Sequence, residues 1–212
     1  SKRGLSQISS DEDKSPDGGF VREPQAGWTA AIDGKTQTGL VWFMDYNQLW
    51  FLYNCTPAST IEWQDDAVAI PAGKSWETQV TMIPISKLKS VSYASRRLVM
   101  GAAFKEDPSA GRLEVKQTYL ATAAPLKSVT VQTILETLLT HQKAESTQSI
   151  ANLGFEPQTV TASLPYDTAK REPAVLRLTF KGETAKRETF SESVELWYRG
   201  SRVSNDDPNS SD

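Results

Sequence analysis

Between Gly39 and Asp66 the chain reads GLVWFMDYNQLWFLYNCTPASTIEWQDD, which holds three of its six tryptophans, two tyrosines and two phenylalanines. Carboxylates and amides are interleaved with the rings. That mixture suits a sugar: rings stack on the apolar faces of pyranoses, and a few placed polar groups bond the hydroxyls. The wider set is Trp42, Tyr46, Asn47 and their neighbours. Within it the candidate carbohydrate-binding residues are Trp50, Trp63, Asp45, Gln48 and Glu62. The same rings also read as core. Strict alternation over LWFLYN puts Leu49, Phe51 and Tyr53 on one face and Trp50, Leu52 and Asn54 on the other. Both faces are then largely apolar, as in a central strand covered on both sides. Trp50 or Trp63 is the ring expected to escape the core.

Other chemistry is poorly supplied. Glycoside hydrolysis needs two carboxylates facing each other across a cleft. Asp65 and Asp66 are adjacent, so on a strand they point to opposite faces. Glu62 and Asp66 share a face but stand well apart along it. His141 is the only histidine and lies in the polar stretch THQKAES, where a surface position is expected. No Gly-x-Ser-x-Gly elbow is present to begin a triad. Cys55 is the only cysteine, which excludes an intramolecular disulfide and a multi-cysteine zinc site. It is expected to be a small buried hydrophobe at a strand end. No catalytic residue, metal ligand or cofactor is assigned.

Composition limits the partners. The 212 residues carry a net charge of -3 and the pI is near 5.4, so there is no basic face for nucleic acid and no polybasic anchor. No run approaches the ~18 apolar residues of a membrane span. The first residues, Ser-Lys-Arg-Gly, lack the apolar core of a leader peptide, and the chain is read as trimmed or partial.

The elements that would position the aromatic stretch are strands. WTAAID, LVWFMDY, LWFLYN, TIEWQDDAVAI and SWETQVTMIPI follow one another, with Asp33-Gly34 and Pro71-Ala72-Gly73-Lys74 as turns. In the last of these, Trp76, Thr78, Val80 and Met82 are expected on one face. KSVSYAS, RRLVMGAAFK, RLEVKQTYLATA, TVTASLPY, AVLRLTF and SVELWY continue the pattern. RLEVKQTY sets Leu113, Val115, Gln117 and Tyr119 against Glu114, Lys116 and Thr118. VQTILETLLTHQKAES has apolar residues at helical spacing, but the β-branched Val129, Val131 and Thr133 continue an alternation, and a strand is preferred. Turn signals recur at the spacing of a sandwich. The fold class is therefore all-β, an antiparallel β-sandwich of two packed β-units. Residues 1–26 and 201–212 read as polar disordered arms, 27–87 as an aromatic-rich sheet unit, and 88–200 as a second sandwich.

Two family resemblances follow from these segments. VWFMDYNQLWFLYN, TIEWQDDAVAIPAGKSWETQVTMIPI and the Pro-Ala-Gly-Lys-Ser-Trp turn resemble the last part of a galactose-mutarotase-like β-supersandwich. From KSVSYASRRLVMGAAF through GFEPQTVTASLP to AVLRLTFKGETAKRETFSESVELW, the chain resembles a bacterial immunoglobulin-like domain of the kind appended to extracellular enzymes. The first covers only about 60 residues and the second about half the chain. Together they imply a non-catalytic, carbohydrate-related accessory protein of extracytoplasmic location. Its expected partner is a carbohydrate, alongside self-association or a larger parent protein. An enzyme of mutarotase-like or glycosidase type, with its site partly on other strands, is one alternative. A structural or assembly protein is the other.

Overall fold

In the computed structural model, residues 19–22, 27–55 and 60–198 are described. The chain is all-β there, with four antiparallel sheets and one 3-10 turn. Chain contacts divide it into two units. The first holds Ser1–Ala31 and Gly39–Pro84, the second Ile32–Thr38 and Ile85–Asp212.

Up to Ser86 the chain forms β1 (Gly19–Arg22), β2 (Trp28–Asp33), β3 (Thr38–Phe43), the 3-10 turn Tyr46–Gln48, β4 (Leu49–Cys55), β5 (Thr60–Asp65) and β6 (Thr81–Ser86), of which the ends Ile32 and Asp33, Thr38, and Ile85 and Ser86 fall in the second unit. One sheet has the order β1-β4-β5 and another β2-β3-β6. The LWFLYN strand is thus central in its sheet, though it is not covered on both sides: Trp50 is exposed and Phe51 and Tyr53 are half-buried. Gly19–Arg22 lies inside the stretch read as a polar arm, yet it pairs along β4 from Asn54 to Phe51. The rest of both predicted arms lies outside the described residues. Met44, Leu49 and Leu52 form a small buried cluster, with Trp42, Trp63 and Val80 packed against it.

Two of the expected strands are shorter than the pattern suggested. TIEWQDDAVAI ends as a strand at Asp65, and SWETQVTMIPI is a strand only from Thr81. The reason is visible in the burial. From Asp66 to Lys74 every residue is exposed, so there is no half-buried surface to pleat. When pairing starts at Thr81 the phase is reset: Thr81, Ile83 and Ile85 turn inward, and Met82 is 54% exposed instead of sharing a face with Val80.

The second unit contains β7 (Tyr93–Ala94), β8 (Leu98–Asp107), β9 (Arg112–Ala121), β10 (Leu126–Thr137), β11 (Lys143–Leu153), β12 (Gln158–Pro165), β13 (Ala174–Thr184) and β14 (Thr189–Tyr198). Its sheets are ordered β12-β9-β8-β7 and β11-β10-β13-β14. Leu113, Val115, Gln117 and Tyr119 of β9 are all at 0% exposure, as are Leu176, Leu178 and Phe180 of β13. Alternation alone places both rows, because each strand turns one face to the facing sheet. Each such Leu or Val contributes roughly 1.5–3 kcal/mol by leaving water. The 126–137 stretch is a strand: Val129, Val131 and Thr133 are fully buried, and β10 is central between β11 and β13.

Polar side chains close this sandwich along its side. Glu192 of β14 accepts from the Tyr93 hydroxyl at 3.2 Å and from the Arg97 guanidinium at 2.9 Å. That guanidinium lies over the Phe190 ring, 5.3 Å from its centre. Lower on the same strand, the Tyr198 hydroxyl donates to Glu106. Gly182 has to be a glycine: a Cβ there would stand 2.6 Å from Phe190 ring carbons and 2.6 Å from the Ser128 carbonyl oxygen.

Candidate functional site

The predicted binding residues fall on β4, β5 and the turn before them, all in the first unit. Asp45 caps the 3-10 turn, its Oδ1 accepting from the Asn47 amide N–H at 3.1 Å and from Asn47 Nδ2 at 3.2 Å. That use is structural: an Asx-type cap satisfies turn donors that have no other partner. Gln48 is held by its main chain, which donates to the Asp45 carbonyl at 3.1 Å and accepts from Asp66 N–H at 2.7 Å. Its side-chain Oε1 is buried with no hydrogen-bond partner among the described residues.

Trp50 owes its position to a bulge. Leu49 pairs with Asp65, but the next pair is Phe51 with Gln64, so Trp50 has no residue opposite it. An extra residue of this kind is left out of the ladder and re-aims its side chain. Leu49 and Leu52 are therefore both buried, whereas strict alternation puts them on opposite faces. Trp50 is 48% exposed, and its ring stands edge-on to Phe51 at 5.3 Å between centres.

Beyond the bulge the two faces of the sheet separate cleanly. Leu52 pairs with Trp63, which packs on the buried cluster. Tyr53 pairs with Glu62, and Phe51 with Gln64; the two rings are half-buried and the two polar residues exposed. Glu62 accepts from the Thr60 hydroxyl at 3.3 Å. The structure thus brings together Trp50, Phe51, Tyr53, Glu62 and Gln64. Trp63 belongs to the other face, next to the core. Sequence reasoning missed Phe51, Tyr53 and Gln64 because it counted through Leu49–Tyr53 in twos, and nothing in the residue types marks the bulge. The signal that could have placed Gln64 is its spacing of two from Glu62.

Among the described residues, no group of three or more His, Cys, Asp or Glu side chains is placed to hold a metal ion. No helix among them is long and apolar enough to cross a membrane.

No protein-family model matches the chain, and no curated protein matches it. Among solved structures, the crystal structure of the ApaA protein from Bordetella pertussis is similar over 50% of this chain and 93% of that one, with 15% identity and a TM-score of 0.37. A likeness that slight carries no argument about function.

Proposed function

We propose that the chain is a non-catalytic β-sandwich accessory protein whose first unit binds carbohydrate on the outer face of β4 and β5. The observation that carries this reading is the bulged Trp50, 48% exposed and joined edge-on to Phe51, on a sheet that also presents Glu62 and Gln64. An exposed ring held by a second ring is a stacking platform, and an adjacent carboxylate and amide supply acceptors and donors for hydroxyls. The second unit serves as the supporting module. Its sheets, β8-β9-β12 with β7 at one edge and β10-β13-β14 with β11 at the other, support an immunoglobulin-like reading. They assign successive strands to the two sheets as the A-B-E and C-F-G sheets of such domains do.

Binding of the full chain to a glycan array tests the reading, with Trp50→Ala, Glu62→Gln and Trp63→Ala alongside. Trp50→Ala is expected to abolish retention without lowering the melting temperature, and Glu62→Gln to weaken retention. Trp63→Ala is expected to lower stability instead, because its ring packs on Met44, Leu49 and Leu52. A wild-type chain that retains no glycan sinks the proposal.

A further inference from the structure

At one end of the second unit, the turns between β8 and β9, β10 and β11, and β12 and β13 leave a cleft of about 600 Å³. That lies within the roughly 300–1,000 Å³ of small-molecule sites. Pro165 and Ala144 supply apolar wall, Leu135 and Tyr166 being almost wholly buried; Lys143, Asp167, Lys170 and Glu172 supply charge.

The hydrogen-bonding capacity of these charged groups is spent unequally. Glu172 is 7% exposed, and its carboxylate takes the Leu139 N–H, the Thr140 N–H at 2.6 Å and the Thr140 hydroxyl at 2.8 Å. Burial opposes its charge, but those bonds hold its carboxyl below the usual range. Asp167 Oδ1 accepts from the N–H groups of Ala169 and Lys170 at 3.1 and 3.2 Å, and its Oδ2 faces Lys170 Nζ at 3.0 Å. The Tyr166 hydroxyl donates to the Glu172 carbonyl at 2.7 Å. Burial, with Glu106 and Glu172 nearby, pushes it up to about 12, so it stays a neutral donor already in use.

The ammonium groups are different. Lys143 Nζ meets Glu136, at 3.4 Å, and Lys170 meets Asp167; both lysine side chains are more than half exposed. An ammonium has three donors, and exposed ion pairs are worth about 0–1 kcal/mol, so both can take another partner. The Glu172 carboxylate is spent on three bonds, while both ammonium groups keep donors for a further partner beside an apolar wall.

We propose that this cleft binds a small anion, a carboxylate or phosphate, carried on an apolar body. The anionic group bonds Lys143 and Lys170, and the body lies against Pro165 and Ala144. The site is on the second unit and does not rest on the carbohydrate reading.

The test is amide NMR titration of the full chain with benzoate, phenyl phosphate, inorganic phosphate and the uncharged benzyl alcohol. Saturable shifts in Gln142–Ala144 and Tyr166–Glu172 are expected with benzoate or phenyl phosphate, and the tighter of the two identifies the anionic group. The double variant Lys143→Gln/Lys170→Gln is expected to bind at least about ten-fold more weakly, the loss of charge-assisted bonds, with an unchanged melting temperature. Absence of saturable shifts overturns the proposal. So does equal binding of benzyl alcohol or inorganic phosphate, and so does undiminished binding by the double variant.

Discussion

The Tyr119 hydroxyl donates to Gln117 Oε1 at 2.5 Å, and both side chains are completely buried. Gln117 Nε2 in turn donates to Thr133 Oγ1 at 2.8 Å, carrying the chain of bonds from β9 to β10 and so from one sheet to the other. Polar groups sealed in a low-dielectric core are costly unless every one is paired. Tyr119→Phe keeps the ring and its contact with Phe180, 5.7 Å between centres, but leaves Gln117 Oε1 without its donor. Urea unfolding is expected to show a loss of about 1–3 kcal/mol. A loss well under that range means that the oxygen finds another donor.

Gly182 gives a sharper steric case. Its Cβ position is occupied on one side by the Phe190 ring and on the other by main chain of Ser128. The ring can shift but the carbonyl cannot, because Ser128 is tied into the β10–β13 ladder. Gly182→Ala is expected to cost about 1–3 kcal/mol, as overpacking does. Gly34→Ala, with nothing within 4 Å of its Cβ, is the control. Equal thermal midpoints for the two variants contradict the packing argument.

Glu172 fixes an acid limb of stability. Its carboxyl is held below the ordinary value of 4.5, so the folded chain binds fewer protons there than the unfolded chain. Its contribution is present in full above that value and is lost as pH falls through the lower folded value. The stability gap between wild type and Glu172→Gln should therefore be widest at neutral pH and narrow under acid. Chemical unfolding at a series of pH values measures it, and a gap that widens below pH 4.5 reverses the assignment.

The orphaned oxygen of Gln48 predicts an unusual outcome for a partly buried polar residue. Removing an acceptor that has no donor removes its desolvation cost. Gln48→Met retains the length of the side chain, and the main-chain bonds to Asp45 and Asp66 are untouched. Stability is expected to stay level or rise by about 1 kcal/mol. A fall of that size instead points to an ordered water on the oxygen.

Alternation carried most of the second unit. Leu113, Val115, Gln117 and Tyr119 are separable from Glu114, Lys116 and Thr118 by eye, and the structure buries the first set entirely. It also decided for a strand over a helix at Val131–Thr137. The first unit was harder for definite physical reasons. Alternation is blind to a bulge, so Phe51 and Tyr53 were grouped with Leu49. It cannot tell an exposed apolar run from a strand, so Val68 and Ile70, 46% and 54% exposed, read as an extension of β5. Gly19–Arg22 has too little patterning to be seen without its partner β4. The bonds of Glu172, like the cleft above it, join residues more than thirty positions apart, and no local pattern encodes them.

The bulge at Trp50 has a consequence for how this sheet can change. With Trp50 skipped, Leu49, Phe51, Leu52 and Tyr53 alternate in, out, in, out without a fault. The tryptophan is thus an insertion that the ladder carries without using. A one-codon deletion there leaves the inward set of β4 intact, and a one-codon gain restores the ring. The exposed indole can in this way be acquired or discarded in a single step, with no repacking of the residues beneath it.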